Sequence, residues 1–131
     1  MDFQAPSGKT FVFNQQVKAP SFNATSDYRL KDQIQTLSGS YYTVDNIRPV
    51  HYILKDSQVP HMGFIAHEVQ EHFPTMVSGE KDGKDIQSVN YSELIPVLVK
   101  EIQESKAREK EKNQEIAGLK SSIQSLQQEF T

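Results

Sequence analysis

The sequence predicts an α+β protein, in which a small mixed domain of helices and β-hairpins lies between an N-terminal β stalk segment and a long C-terminal helix. Three observations predict this class. β-favouring residues precede Ser26, mixed helix and strand patterns continue to about residue 95, and an apolar heptad pattern then runs to the end. We therefore divide the chain into residues 1–25, 26–95 and 96–131.

The composition excludes several classes of protein. The 131 residues suffice for one domain with a modest core. The formal net charge of −3 argues against a nucleic-acid partner, because proteins that bind bare nucleic acid usually carry a basic face. Cysteine is absent, which excludes disulfides and thiolate nucleophiles. The apolar share of 36% is low, so we expect surfaces that other chains cover.

The sequence contains no recognisable targeting or membrane segment. The first residues have neither the basic start nor the apolar run of a signal peptide. The longest mostly apolar stretch, residues 94–99, is far shorter than the roughly 20 residues that span a bilayer. We expect a soluble protein without a membrane partner.

The N-terminal segment favours β structure. Thr10–Phe13 predicts a short strand, residues 14–16 a turn, and Val17 the start of a second strand that Pro20 interrupts. The apolar residues here, too few for a core, are Phe3, Phe11, Phe13, Val17 and Phe22. A frayed terminus and the end of a β-rich body completed by other chains both remain open.

A helix is predicted at the start of the middle segment. Ser26 or Asp27 can cap it, and Leu30, Ile34 and Leu37 share one face of it. Gly39 is a plausible stop.

Strands and a second helix follow. Residues 49–55 alternate as a strand, with Val50 and Tyr52 on one side. Residues 67–73 form a short helix that ends at Pro74. The polar turn 79–83 joins two short runs, 76–77 and 86–89, as a hairpin.

The last segment predicts a long helix. Asn90 and Glu93 have the spacing of a capping box, and we expect one helical turn before a kink at Pro96. The charged run 100–112 is interpreted as a solvated helix face.

An apolar seam with heptad spacing predicts a coiled coil along this helix. Ser105, Glu109 and Lys112 make the middle of the seam polar. Ile at a with Leu at d leans towards a dimer, but so few heptads leave the number of chains open. The apolar seam residues are Ile95, Ile102, Ile116, Ile123 and Phe130 at a, and Leu98, Leu119 and Leu126 at d.

Motifs for metal or phosphate binding are not predicted. His67 and His72 are five residues apart, about 140° around a helix, whereas a zinc-binding helix needs a spacing of four. The tripeptide 8–10 lacks the upstream glycine of a phosphate loop. We therefore expect neither a metal nor a cofactor.

Ser26 and Lys31 are the pair that could carry chemistry. A lysine can act as the base for a serine when burial keeps its amine neutral. Within one helix an i, i+5 spacing would point the two apart. If Ser26 instead precedes the helix, its side chain can fold back, and free N–H groups at the helix start could bind an oxyanion. Spacing alone favours an ordinary N-cap serine and a surface lysine.

Four strings resemble motifs of one family in its order. Residues 26–31 (SDYRLK) resemble the opening motif Ser-Asp-x-Arg-Leu-Lys of the C-terminal intramolecular chaperone domain of phage endosialidase tailspikes, tail fibres and neck appendages. Residues 47–52 (IRPVHY), 63–70 (GFIAHEVQ) with Phe73-Pro74, and 89–96 (VNYSELIP) resemble the later motifs. The departures are His67 for Gln and Asn90 for Asp. The motif residues expected to support the site are Asp27, Arg29, Leu30, Gly63, Glu68 and Tyr91.

The resemblance implies a homotrimer that registers the upstream stalk of its own chain and then removes itself by autoproteolysis. Ser26 would be the nucleophile, Lys31 its base and Thr25–Ser26 the cleaved bond, in a single turnover without a cofactor. It implies synthesis in the bacterial host cytoplasm, with the upstream part in the virion tail or appendage and the chaperone released or loosely retained. The alternative is a non-cleaving trimerisation or attachment module of the same fold.

Overall fold

The computed structural model describes residues 8–130 and has the predicted α+β class, with two short β-hairpins and a long C-terminal helix. The chain divides into two compact units, Met1–Gln35 and Thr36–Thr131, and each is described by itself. The domain boundaries after residues 25 and 95 stay predictions.

The described part of the N-terminal segment, residues 8–25, contains no strand, so the strand predicted at Thr10–Phe13 is wrong for the single chain. Phe11, Phe13 and Phe22 are exposed. A two-stranded hairpin is marginal in water without an apolar surface to pack on, and this segment provides none. Phe3 lies outside the described residues.

The helix predicted from Ser26 or Asp27 through Leu37 is also wrong, because only one 3-10 turn, Tyr28–Leu30, forms. Lys31 is extended at φ −119° and ψ 143°, and Gln33 has a left-handed φ of 49°. Leu30 and Ile34 are exposed, so the apolar stripe has nothing to pack on. Packing supplies most of the stability of short helices, and without it the turn does not propagate.

Two antiparallel hairpins form in the second unit. Strands β1, Val50–Ile53, and β2, Pro60–Gly63, pair with Tyr52 opposite His61. The alternating burial of β1 confirms the predicted strand. Strands β3, Val77–Ser78, and β4, Ser88–Val89, form the second hairpin and confirm that prediction.

The core of the second unit is small and lies where a short helix meets the long one. Helix α1, Ala66–Gln70, is shorter than predicted, and a 3-10 turn, Pro74–Met76, follows it. Leu37, Tyr42 and five other partly buried apolar residues pack around the core. The buried apolar residues are Val69, Phe73, Met76, Val77, Leu94 and Val97.

Helix α2, Leu94–Glu129, is 36 residues long and confirms the predicted C-terminal helix. Asn90 caps a preceding 3-10 turn, Tyr91–Glu93, by accepting the N–H of Ser92 at 3.2 Å. Pro96 lies in the first turn of α2 rather than at a kink between two helices, as predicted. Its missing N–H costs nothing there, since N–H groups of the first turn have no partner within the helix.

The first turns of α2 have two faces. Leu94, Val97 and Lys100 are buried against the second unit, whereas Ile95, Leu98 and Ile102 are exposed. The heptad seam therefore points away from the core that the same helix completes.

Lys100 is the buried charge of this contact, although its charged run was interpreted as solvated. Its Nζ donates to the carbonyls of Gly39 and Tyr42, at 2.7 Å each. Glu101 accepts the N–H of Val44 at 3.2 Å, and hydrogen bonds from Thr43 and from Val44 lower the pKa of Glu101. These contacts hold residues 39–44 on α2.

We predict that Lys100→Met destabilises the second unit, because the two carbonyls lose their donor while the apolar stem is kept. Leaving buried acceptors unpaired costs about 1–3 kcal/mol. Urea unfolding followed by circular dichroism at fixed protein concentration measures the change. Lys106→Met, at an exposed position of the same helix, is the control, and equal losses in both variants would contradict this role of Lys100.

Candidate active site

The structure brings Ser26 and Lys31 together, as the resemblance implies. Lys31 Nζ donates to Ser26 Oγ at 2.5 Å, and both residues are exposed. This separation allows a proton to pass between the two groups in either direction.

The single 3-10 turn makes this contact possible. The N–H of Leu30 donates to the carbonyl of Asp27 at 3.1 Å, and the N–H of Lys31 donates to that of Tyr28 at 3.0 Å. Extended residues on both sides then let the side chains of positions 26 and 31 meet. A continuous α-helix would separate them by about 140°. The helix missing from residues 29–37 is therefore what permits the dyad.

Asp27 and Arg29 form an ion pair inside the turn. Asp27 Oδ1 accepts the backbone N–H and the Nε–H of Arg29, both at 2.9 Å, and Oδ2 accepts from Nη2 at 2.8 Å. The hydrogen bond from the guanidinium, and then that from the backbone, lowers the pKa of Asp27. The same carboxylate raises the pKa of Arg29.

The oxyanion site expected at a helix start has no basis in this turn. The N–H groups of Arg29, Leu30 and Lys31 already donate to Asp27 or to Tyr28. A single 3-10 turn also lacks the aligned peptide dipoles of a longer helix. Leu30, another motif residue, is exposed.

Gly63 and Tyr91 are motif residues that act together in the second unit. Tyr91 Oη accepts the N–H of Phe64 at 3.1 Å, and the two rings lie 5.7 Å apart. A Cβ at position 63 would lie only 2.6 Å from Tyr91 Oη. Glycine is therefore needed for the tyrosine to reach the backbone.

Glu68 pairs with Arg48, which the sequence did not single out as a site residue. Arg48 donates from Nε and Nη2 to the two oxygens of Glu68, at 2.9 Å each. The hydrogen bond from Arg48 lowers the pKa of Glu68. The pair joins α1 to the segment before β1. Both residues belong to quoted motifs, but nothing in the strings indicates that they pair.

The predicted oligomer seam is exposed along α2. Every described residue from Ser105 to Phe130 is exposed, so this part of the helix makes no contact that would bury it within the chain. Phe130 lies just beyond the helix, which ends at Glu129. The other apolar seam residues, each 42–59% exposed, are Ile95, Leu98, Ile102, Ile116, Leu119, Ile123 and Leu126.

Two further properties were examined in the described part of the chain. Within residues 8–130, no three His, Asp or Glu side chains lie close enough to hold a metal ion. His67 is in α1, and His72 is in the turn after it. Within the same range, none of the helices combines the length and apolar character needed to cross a bilayer.

A family model matches the part of the chain that begins at the dyad. Residues 26–78 match Peptidase_S74, described as chaperone of endosialidase. This match confirms the resemblance drawn from the motifs, and it contains the first three of the four. The family name indicates a serine peptidase, and its description indicates a chaperone. No curated protein matches the chain.

We predict that Gly63→Ala destabilises the second unit by about 1–3 kcal/mol, because the new methyl group collides with Tyr91 Oη. Tyr91→Phe alone should cost about 1 kcal/mol through the lost hydrogen bond to Phe64. The double variant should be more stable than the sum of the two losses, since the colliding hydroxyl is gone. Chemical unfolding of all four proteins measures the coupling, and strict additivity would show that the contact is not the cause.

Proposed function

We propose that this chain is an intramolecular chaperone that trimerises, registers the upstream stalk of its own chain, and then cuts itself off between Thr25 and Ser26. The observation that carries the proposal is the Ser26–Lys31 hydrogen bond at the first residue of the family match. The serine of a peptidase named for this family thus has a lysine in reach to act as its base.

The reaction uses only groups of the chain and water. The neutral amine of Lys31 takes the proton of Ser26 Oγ, which attacks the carbonyl carbon of Thr25. The C–N bond between Thr25 and Ser26 breaks as the lysine returns the proton to the nitrogen, which leaves an ester on Oγ. Water then hydrolyses the ester to the Thr25 carboxylate, and Ser26 keeps its hydroxyl and a free amine.

We propose that cleavage depends on assembly. Both members of the dyad are exposed in the single chain. Water favours the charged form of an amine, and a charged amine cannot accept a proton. A neighbouring chain that covers Lys31 would favour the neutral form, so that the cut follows assembly.

The exposed seam of α2 supports an assembly of several chains. Half-exposed Ile and Leu side chains recur at heptad spacing on a face that the second unit leaves free. Burying apolar surface yields about 25 cal/mol per Å², which favours joining such seams. The number three is taken from the resemblance.

The exposed aromatic residues before Ser26 support a stalk. Phe11, Phe13 and Phe22 have no apolar surroundings in the described part of their own unit. We propose that they pack against sister chains in a β-rich stalk. Such intertwined structures form slowly and aggregate when unregistered, and bringing chain ends together lowers the entropy cost of registering them.

Removing the clamp after folding leaves a stalk that is kinetically stable, because it cannot readily refold without the clamp. We propose that the chain is made in the cytoplasm of a bacterial host, that the stalk becomes part of the virion tail or an appendage, and that residues 26–131 are released or loosely retained.

We predict that purified protein yields a fragment that starts at Ser26, and that Ser26→Ala and Lys31→Ala abolish it. Mass analysis under denaturing conditions detects the cut. Ser21→Ala and Lys18→Ala, which change nearby exposed residues, are the controls and should cleave normally. An intact chain that still forms a trimer would instead support the alternative, a non-cleaving trimerisation or attachment module.

We also predict that Leu119→Lys with Ile123→Lys lowers the native mass to that of one chain. Cleavage should slow by about tenfold or more, because an uncovered amine stays charged. Ser121→Lys, three positions from the nearest d residue on the opposite side of the helix, is the control. A single-chain variant that cleaves as fast as the unaltered protein would exclude dependence on assembly.

A further inference from the structure

We propose that Arg29 is a positioning residue of the dyad, which occupies the Asp27 carboxylate and so leaves the Lys31 amine to pair with Ser26. The inference rests on the proposed self-cleavage. It assigns to Arg29 a role that its place in a motif does not specify.

The geometry shows how completely Arg29 engages this carboxylate. Three N–H groups of Arg29 reach its two oxygens, at 2.8–2.9 Å. Guanidinium matches a carboxylate with two parallel hydrogen bonds and keeps its charge throughout the physiological range. The lowered pKa of Asp27 agrees with this engagement. The carboxylate thus has a charged partner other than Lys31.

The position of Asp27 explains why this engagement matters. The residue is next to Ser26 in the chain, and the turn that it caps brings Lys31 back to Ser26. A free carboxylate here would compete with a neutral hydroxyl for the lysine, and hydrogen bonds between charged groups are about twice as strong. It would also favour the charged amine, which cannot act as a base.

The other titratable groups of residues 8–35 offer one comparison. They are Lys9, Lys18, Tyr28 and Asp32, so Asp32 is the second carboxylate of this range. Asp32 is adjacent to Lys31 in the chain, and its Oδ1 accepts the N–H of Gln33 at 2.8 Å. Removing its charge is therefore the matched control for removing that of Asp27.

Exposure argues that the ion pair serves the site rather than overall stability. The side chain of Arg29 is 75% exposed and that of Asp27 is 40% exposed. Exposed ion pairs contribute little to the stability of a fold. Asp27 caps the turn through the backbone N–H of Arg29, a bond that does not need the guanidinium.

The first test measures the Lys31 amine by NMR in chains that carry Ser26→Ala, so that no cleavage interferes. Adding Arg29→Gln should raise the titration midpoint of this amine by about one pH unit or more, the usual effect of a nearby opposite charge. Adding Asp27→Asn to that chain should reverse the rise, because the free carboxylate is gone. Asp32→Asn, with Arg29 intact, should leave the midpoint within a few tenths of a unit.

Two results of this titration would overturn the role of Arg29. One is an unchanged midpoint after Arg29→Gln. The other is a rise that persists when Asp27→Asn is added, since a general loosening of the turn would then be the cause. Circular dichroism and native mass, compared across the set, identify a variant that has failed to fold, and Arg29→Lys then replaces Arg29→Gln as the test of the fork.

The second test uses chains with Ser26 intact and follows cleavage against pH. Arg29→Gln should move the rise of rate with pH upwards by the same amount, which is about a tenfold loss per unit below the midpoint. Asp27→Asn with Arg29→Gln should restore the position of the profile. If no chain cleaves at Ser26, the proposed self-cleavage fails, and the NMR titration alone decides whether Arg29 guards the amine.

Discussion

The second unit depends on apolar contacts between α2 and a very small core. Leu94 and Val97 complete a cluster whose other members come from α1, the turn after it and β3. Lys100 extends this contact with two hydrogen bonds to the loop at residues 39–42. Because the hairpins have only two strands each, they cannot bury a core by themselves. The helix that carries the proposed oligomer seam is thus also the wall of the domain.

The site depends on the opposite condition, a helix that fails to form. Apolar spacing over Leu30, Ile34 and Leu37 is that of an amphipathic helix, yet the first two side chains stay exposed and only Leu37 packs on the core. Since the turn stops at Lys31, the lysine folds back onto Ser26. Local structure and chemistry are coupled here: a better helix former at these positions would separate the two reacting groups.

Much of the architecture could be predicted from the sequence. Alternation over residues 50–53, the turn between β3 and β4, and the uninterrupted heptads of α2 are local patterns, and each predicted its element. The dyad was recognised from a motif, not from spacing, which alone favoured an inert pair. The predicted strand at Thr10–Phe13 and helix to Leu37 failed because both needed an apolar surface that the single chain does not provide.

Other features depend on pairing between distant parts of the chain and had no local signal. Lys100 belongs to a run of charges that normally faces water, and only the approach of Gly39 and Tyr42 buries it. Arg48 and Glu68 are 20 residues apart and meet because α1 packs beside the segment that leads into β1. Gly63 looks like an ordinary turn residue until Tyr91 is placed against it.

The polar interval in the seam of α2 has a consequence for alignment along the helix axis. Ser105, Glu109 and Lys112 separate an apolar stretch beside the domain from a second one near the end of the helix. In the assembly that we propose, a slip of one heptad would displace a chain by about 10 Å and set Ile116 against a charged layer. Correct pairing therefore has a single depth, and a chain that is level at this helix delivers its upstream end level with its sisters.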